Sequence, residues 1–367
     1  MIGYLMFKDY VIADLDIDSY GFRMIKAYTN IFPVRSDAEL HKWWSARQTP
    51  YNRDNIMDAY KYLGVSNFSD FVRVTHFNSV NDCWWVRTDS KQNWSNTNLY
   101  SNHFNKLVSD ICFTGDISVP TIKTDIYSPE FSLGGSFPKT WRHNQGKIQL
   151  IKASRLQESK ELHNAFIYNE VLLNQLEAFL GIEHCVQYNL SKYKDKDVCV
   201  CDCFTNESIM YYPAVYQFQG YPSYDEVRNM FGGYKLFYQM CFLDYLTLNI
   251  DRHTGNFGVL VNSENLEVIG MSPIFDNNYS LLPTKPIESL SKEEMLALKN
   301  SQVTRFDNIS FQELGKYLLR DYPKVKDYCR KLLKFEFKPV GTISTKRLKR
   351  LSWLIRQQAR ELLKPIS

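Results

Sequence analysis

The hydrophobic rhythm of the chain is clearest between residues 147 and 180. KIQLIKAS (147–154) alternates apolar and polar positions, the period-2 signature of a half-buried strand. KELHNAFIYNEVLLNQLEAFL (160–180) repeats at helical spacing instead. Leu162, Phe166, Leu173, Leu176 and Leu180 share one stripe, and Gly181 follows where a helix end favours glycine. Two more strand-like runs come next, DVCVCDCF and IMYYPAVYQF. Ser223 and Glu226 of SYDE have capping-box spacing and predict a long apolar helix reaching about Leu248. The remainder reads as helical, down to TKRLKRLSWLIRQQARELLK. Ahead of all this, residues 1–115 mix helical and irregular patterns. Their clusters HKWWSARQTPYNR and SVNDCWWVR place Trp43, Trp44, Trp84 and Trp85 in a core or an interface. A polar, proline-punctuated stretch (SVPTIKTDIYSPEF) and a glycine turn (SLGGSFPK) lead into the strand at 147.

Composition narrows the class. Apolar residues at 44% and charged residues at 23% are ordinary for a globular protein, and 15% aromatics imply dense packing. A net charge of +4 falls short of the basic stripe of a dedicated nucleic-acid binder. The basic last helix, with Leu348, Leu351, Ile355 and Leu362 on one face, reads as a packed helix with a solvated side. The N-terminus lacks a basic n-region and no run approaches 18 uncharged apolar residues, so neither a signal peptide nor a membrane span is expected, and a cytoplasmic location is the default. Cys199, Cys201 and Cys203 alternate along one strand face without the C-x₂-C pairs of a zinc site, which reads as reduced, core-facing thiols.

Some charges break their local pattern. Lys152 shares a strand face with Ile148 and Leu150, and Glu170 falls on the helical stripe between Phe166 and Leu173. An unpaired buried charge is costly, so the two together predict a buried Lys–Glu pair downstream of Gly134 and Gly135, an arrangement that can grip phosphates. NIDRHTGNFG (249–258) sits between apolar stretches, and its Asp251 and Asn256 have the D-x₄-N spacing of a kinase catalytic loop. PIFDNNYSLL then supplies a second carboxylate, Asp276, after an apolar lead-in. Phosphoryl transfer needs metal ligands, a phosphate clamp and a positioned hydroxyl, and the chain presents those parts in order.

These residues resemble the HipA-like serine/threonine kinases of bacteria and their phages. The match runs over about residues 116–335 and rests on SLGGSFPK, Lys152, the helix with Glu170, NIDRHTGNFG and PIFDNNYSLL. The D-R-H-x-x-N arrangement also resembles phosphatidylinositol kinase-like enzymes. The resemblance implies an α+β, two-lobed protein-kinase-like fold: an N-terminal accessory domain (1–115), a β-rich N-lobe (116–220) and a helical C-lobe (221–367). It implies Asp251 as catalytic base, Asn256 and Asp276 as Mg²⁺ ligands, and Lys152, steadied by Glu170, on the phosphates of ATP. Backbone around Tyr216 to Phe218 would meet adenine, and His253 would brace the catalytic loop or serve as an ordinary structural histidine. Ser132 matches the autophosphorylated serine of the glycine loop, with Ser136 as a second position. A protein substrate is implied, with a separately encoded antitoxin-like regulator by analogy. Departures are Asn277-Asn278 after the metal Asp, the missing G-x-G-x-x-G and the absence of a fused helix-turn-helix. A nucleotide-binding regulator with little catalysis, or a lipid kinase, are the alternative readings.

Overall fold

The structure is a computed structural model that describes residues 1–50, 52–115, 127–132, 134–155, 162, 164–218 and 220–365. The polar stretch at 116–126, Leu133 of the glycine turn, and residues 160, 161 and 163 at the start of the expected helix lie outside these.

Along the chain come β1 (Ile2–Phe7), β2 (Tyr10–Ile17), β3 (Phe22–Ala27), α1 (Asp37–Arg47), α2 (Ile56–Leu63), α3 (Phe68–Thr75), β4 (Trp84–Arg87), α4 (Trp94–Thr97) and α5 (Lys106–Thr114). The middle holds β5 (Lys139–Asn144), β6 (Lys147–Ala153), α6 (Ala165–Leu180), β7 (Asn189–Tyr193), β8 (Lys196–Asp202) and β9 (Ile209–Pro213). The last part holds α7 (Tyr224–Phe231), α8 (Lys235–Thr247), β10 (Gly258–Asn262), β11 (Val268–Met271), α9 (Lys292–Asn300), α10 (Phe311–Asp321), α11 (Val325–Leu332) and α12 (Thr345–Leu363). Packing groups these into two compact units, each drawn from separate stretches of chain.

The first unit comprises Met1–Arg155, Asp202–Gln217 and Val259–Ile269. Its N-terminal strands form an antiparallel sheet in the order β3-β2-β1-β4, where sequence rhythm alone reads irregular structure. The reason is local. β2 sets Asp14 and Asp16 opposite Lys26 and Arg23 of β3, and bulges at Leu5/Met6 and Asp14/Leu15 break the period-2 pattern. Leu5, Ala13, Leu15 and Ile17 point inward onto Trp43, Ile56, Val72, Trp84 and Trp85. The same core takes in Phe131, Met210, Tyr216 and Val261, so β9 and β10 pack with the N-terminal residues. Inside it, Arg47 pairs with Asp82 at 3.0 Å and lies over the rings of Trp43 and Phe77.

The second unit comprises Leu156–Cys201, Phe218–Gly258 and Gly270–Ser367. The helix expected from Ser223 to Leu248 is two helices, α7 and α8. The capping box forms as read, but Gly232-Gly233 breaks the rod: a Cβ on Gly232 would come within 2.5 Å of the Arg228 carbonyl oxygen. The all-helical reading of the remainder also needs correction, because the β10–β11 hairpin and a long loop precede α9. Asn262 side-chain bonds to Glu264 and Asn265 tighten the hairpin turn, and Val268 and Ile269 stay exposed, which hides the strand from a burial pattern. In α12, Leu348, Leu351, Ile355 and Leu362 are buried as the apolar stripe predicts. Arg347 turns inward with them and donates to the carbonyls of Leu282 and Lys285, both at 2.9 Å. No helix among the described residues is long and apolar enough to cross a membrane.

Candidate active site

The charged turn at 249–257 follows directly from how α8 ends. Leu248 takes a left-handed conformation (φ 54°), and the chain doubles back over the helix C-terminus. Asn249 holds that reversal: its Nδ2 donates to Asp244 at 3.0 Å, and its Oδ1 accepts the Asp251 N–H at 3.0 Å. Arg252 is fully buried beneath. Its Nε and NH2 groups grip the Asp244 carboxylate at 3.0 Å each. Its NH1 reaches the carbonyls of Phe275 (2.6 Å) and Asn256 (3.2 Å), and its NH2 also reaches Asn277 Oδ1 (2.5 Å). Burial opposes the charge, but pairing with Asp244 outweighs it and holds the guanidinium above its ordinary pKa. One side chain thus joins α8, the charged turn and the loop after β11.

Asp251 sits on this platform, half-buried, with Arg305 NH2 at 3.4 Å from its Oδ1. Arg305 also donates to the Tyr221 hydroxyl at 3.0 Å and lies over its ring. Burial pushes the Asp251 carboxyl above its usual range and Asp276 adds to the push, while His253 and Arg305 pull it down. Two carboxylates close enough to repel, beside an amide oxygen, suit a hard cation. Asn256 is buried with its Nδ2 committed to the Asp251 carbonyl at 3.1 Å, so Oδ1 is the atom it could offer a cation. Asp276 takes a left-handed backbone (φ 56°), and its N–H donates to the Tyr188 hydroxyl at 3.3 Å. The oxygen donors here are of the type magnesium takes, and Asn256 and Asp276 would be the residues to hold it.

His253 braces the turn from inside. Its backbone N–H donates to the Asp251 carbonyl at 2.7 Å, and its Nδ1 accepts the Gly255 N–H at 3.0 Å. That bond assigns the ring proton to Nε2 when neutral. A Cβ at 255 would stand 2.8 Å from the imidazole Cε1, so a larger residue there would have to displace the ring. Glu170 on α6 accepts the Asn277 N–H at 2.8 Å, and its neighbour Asn169 donates to the Asn278 carbonyl at 3.3 Å. Adjacent polar residues on one buried helix face thus shape the loop that follows Asp276.

Five of the sequence-derived residues, Glu170, Asp251, His253, Asn256 and Asp276, fall together in the second unit, as does half-buried Phe218. Ser132, Gly134, Gly135, Lys152 and Tyr216 belong to the first. Lys152 is buried on β6, cross-strand from Lys139. Ser132 is buried and its hydroxyl faces the Pro129 carbonyl at 3.4 Å. Gly134 and Gly135 are exposed, and Gly135 has φ 88°, a conformation open to glycine. Ser136 accepts a hydrogen bond from Arg155. Tyr216 is packed against Phe32 with ring centroids 4.7 Å apart. Sequence reasoning passed over Asp244, Tyr188 and Arg305, and noted Asn277 only as a departure without giving it a role. Asp244 had a signal, an acid inside the apolar run MCFLDYLTL; the others had none.

The protein thus has an α+β, protein-kinase-like fold with a carboxylate turn at the end of a buried helix. No family model matches the chain, and no curated protein matches it. Among solved structures it is similar to a chain of the Shewanella oneidensis MR-1 toxin–antitoxin complex of HipA, HipB and operator DNA, with a TM-score of 0.50 and 12% identity over 98% of this chain and 97% of that one. It also matches the Helicobacter pylori proinflammatory kinase CtkA, with a TM-score of 0.49 and 17% identity over 64% of this chain and 92% of that one. At such identities the likeness speaks to the fold alone.

Proposed function

We propose that the protein is an ATP- and Mg²⁺-dependent kinase that phosphorylates serine or threonine of a protein, including a serine of its own glycine loop. The observation that carries this reading is the turn at Asp251, with Asp276 and Asn256 beside it and Arg252 locking all three segments from below. Asn256 and Asp276 would hold the magnesium, which would neutralise charge on the phosphates when bound. Asp251 accepts the proton of the attacking hydroxyl as the new O–P bond forms and the bond from the γ-phosphorus to the leaving ADP oxygen breaks. Burial and Asp276 raise the basicity of Asp251 above that of an exposed carboxylate, which suits the task. Lys152, with Glu170, would steady the nucleotide phosphates, and backbone near Tyr216 to Phe218 would meet adenine. Phosphate on Ser132 or Ser136 would add negative charge where the nucleotide phosphates sit and oppose their binding. A cytoplasmic setting belongs to the same reading, as does a separately encoded antitoxin-like regulator, because the similar complex pairs HipA with HipB.

The test uses purified wild type and Asp251→Asn with labelled ATP and Mg²⁺, read by intact mass and site mapping. Phosphate on wild type alone, in the glycine loop, supports the kinase. Nucleotide binding without label on the protein or on offered substrates in either variant would favour the regulator reading.

A further inference from the structure

The carbonyl groups of Gly134, Gly135 and Ser136 in the glycine loop are gathered by one turn from the N-terminal region. Arg53, between α1 and α2, is almost completely buried. Its NH1 donates to the Glu130 carbonyl at 2.6 Å, its NH2 to the Gly134 carbonyl at 2.9 Å and its Nε to the Gly135 carbonyl at 2.9 Å. The next residue continues the pattern, with the Asp54 N–H on the Ser136 carbonyl at 3.4 Å. Thr49 adds its hydroxyl to the Glu130 carbonyl at 3.2 Å, and the Lys139 ammonium shares the Gly134 carbonyl. Carbonyls at 130, 134, 135 and 136 are thus turned toward residues 49–54.

That orientation has a consequence for the other side of the loop. In a trans peptide the C=O and the following N–H point in opposite directions. With the Gly134 and Gly135 carbonyls drawn to Arg53, the N–H groups of Gly135 and Ser136 face away from it. Among the described residues no acceptor meets either N–H. Successive free N–H groups beside a residue at positive φ form a concavity that favours anions. A guanidinium suits the task because its planar fork reaches three carbonyls at once, whereas an ammonium is a point donor.

We propose that Arg53 is a positioning residue: it fixes the peptide orientation of the glycine loop, so that the N-terminal region is a working part of the phosphate site. The ligand in this statement rests on the kinase reading above; the clamp itself does not.

The experiment takes full-length wild type, Arg53→Lys and Arg53→Met. Amide hydrogen exchange is followed without nucleotide, and binding of a fluorescent ATP analogue is measured with Mg²⁺. Both variants are expected to exchange faster across 131–139 while peptides from the strands of the N-terminal sheet keep their protection. Their affinity for the analogue should fall by about tenfold or more, since the loop N–H groups are no longer held in one orientation before the ligand arrives. Arg53→Met could lose the whole first unit; Arg53→Lys, which keeps charge and most of the volume, then decides. Unchanged exchange at 131–139 in Arg53→Lys overturns the clamp, and so does uniform loss of protection throughout that unit. Faster loop exchange with unchanged affinity overturns the role in nucleotide binding. If wild type binds no analogue, the kinase reading falls, and the exchange arm still decides the clamp.

Discussion

Arg252 makes the largest demand of any single residue in the site. A guanidinium without solvent is tolerable only when its donors are used, and Asp244, Phe275, Asn256 and Asn277 use them. Asp244→Asn keeps the shape and removes the countercharge. It is expected to destabilise the protein by roughly 3–5 kcal/mol, as for other broken buried pairs, and to lower phosphoryl transfer as the turn loosens. Denaturant unfolding and the autophosphorylation assay measure the two effects separately, and wild-type stability in the variant would show the pair to be dispensable. Asp251→Asn should do the opposite, removing nearly all transfer with little change in stability, because the Asp251 side chain is partly exposed and the bonds it gives the turn come from its backbone. A midpoint shift as large as that of Asp244→Asn would contradict this division of labour.

At the scale of elements, α6 combines packing with loop control. Its apolar stripe is buried, and Glu170 faces the loop after Asp276. Two turns further on, Glu177 is buried as well, and burial pushes its carboxyl from an ordinary 4.5 up to about 8. Gln187 donates to it at 3.4 Å. A carboxyl whose folded pKa is raised binds its proton more tightly in the folded state. Its contribution is therefore most favourable below the unfolded value and is lost progressively as pH rises from about 4.5 through about 8. Glu177→Gln should unfold with the same midpoint dependence as wild type at acid pH but retain more stability near pH 9. Parallel stability–pH curves for the two proteins would sink the assignment. The α7–α8 break makes a related point. A capping box starts a helix correctly, but two glycines later the backbone has no side chain to favour continuing it.

For the whole molecule, the N-terminal region is part of one core rather than an appendage. Leu5, Ile17, Trp43, Trp84 and Cys112 share a cluster with Met210, Tyr216 and Val261. The breaks at 115 and 220 expected from sequence rhythm and the compact units cut the chain at different places, because the strands at 209–213 and 258–262 return to that core. A protein beginning at residue 116 is expected to expose this apolar surface and to aggregate or lack cooperative unfolding. Size-exclusion chromatography with thermal melts decides it, and a soluble fragment melting cooperatively would show that residues 116–367 fold alone.

The candidate site was legible from sequence because polar residues inside apolar runs have few physical excuses. Asp251, Asn256, Asp276 and Glu170 stood out for that reason, and the structure gathers these four in one unit. Helix α6 and the buried face of α12 were legible too, since burial of one face imposes a period of 3.6. The N-terminal sheet was not: its strands are short, bulged and faced with acids, and β4, which pairs with β1, comes from some eighty residues further along the chain. Nor could any local pattern tell that Arg252 faces inward while its neighbours Asp251 and His253 stay partly exposed, or that Arg53 would find carbonyls some eighty residues away. The sequence by itself determined which residues carry charge into apolar surroundings. Only the tertiary structure decided which of those charges hold the platform and which stand on it, because hydrogen-bond partners are set by packing across the chain.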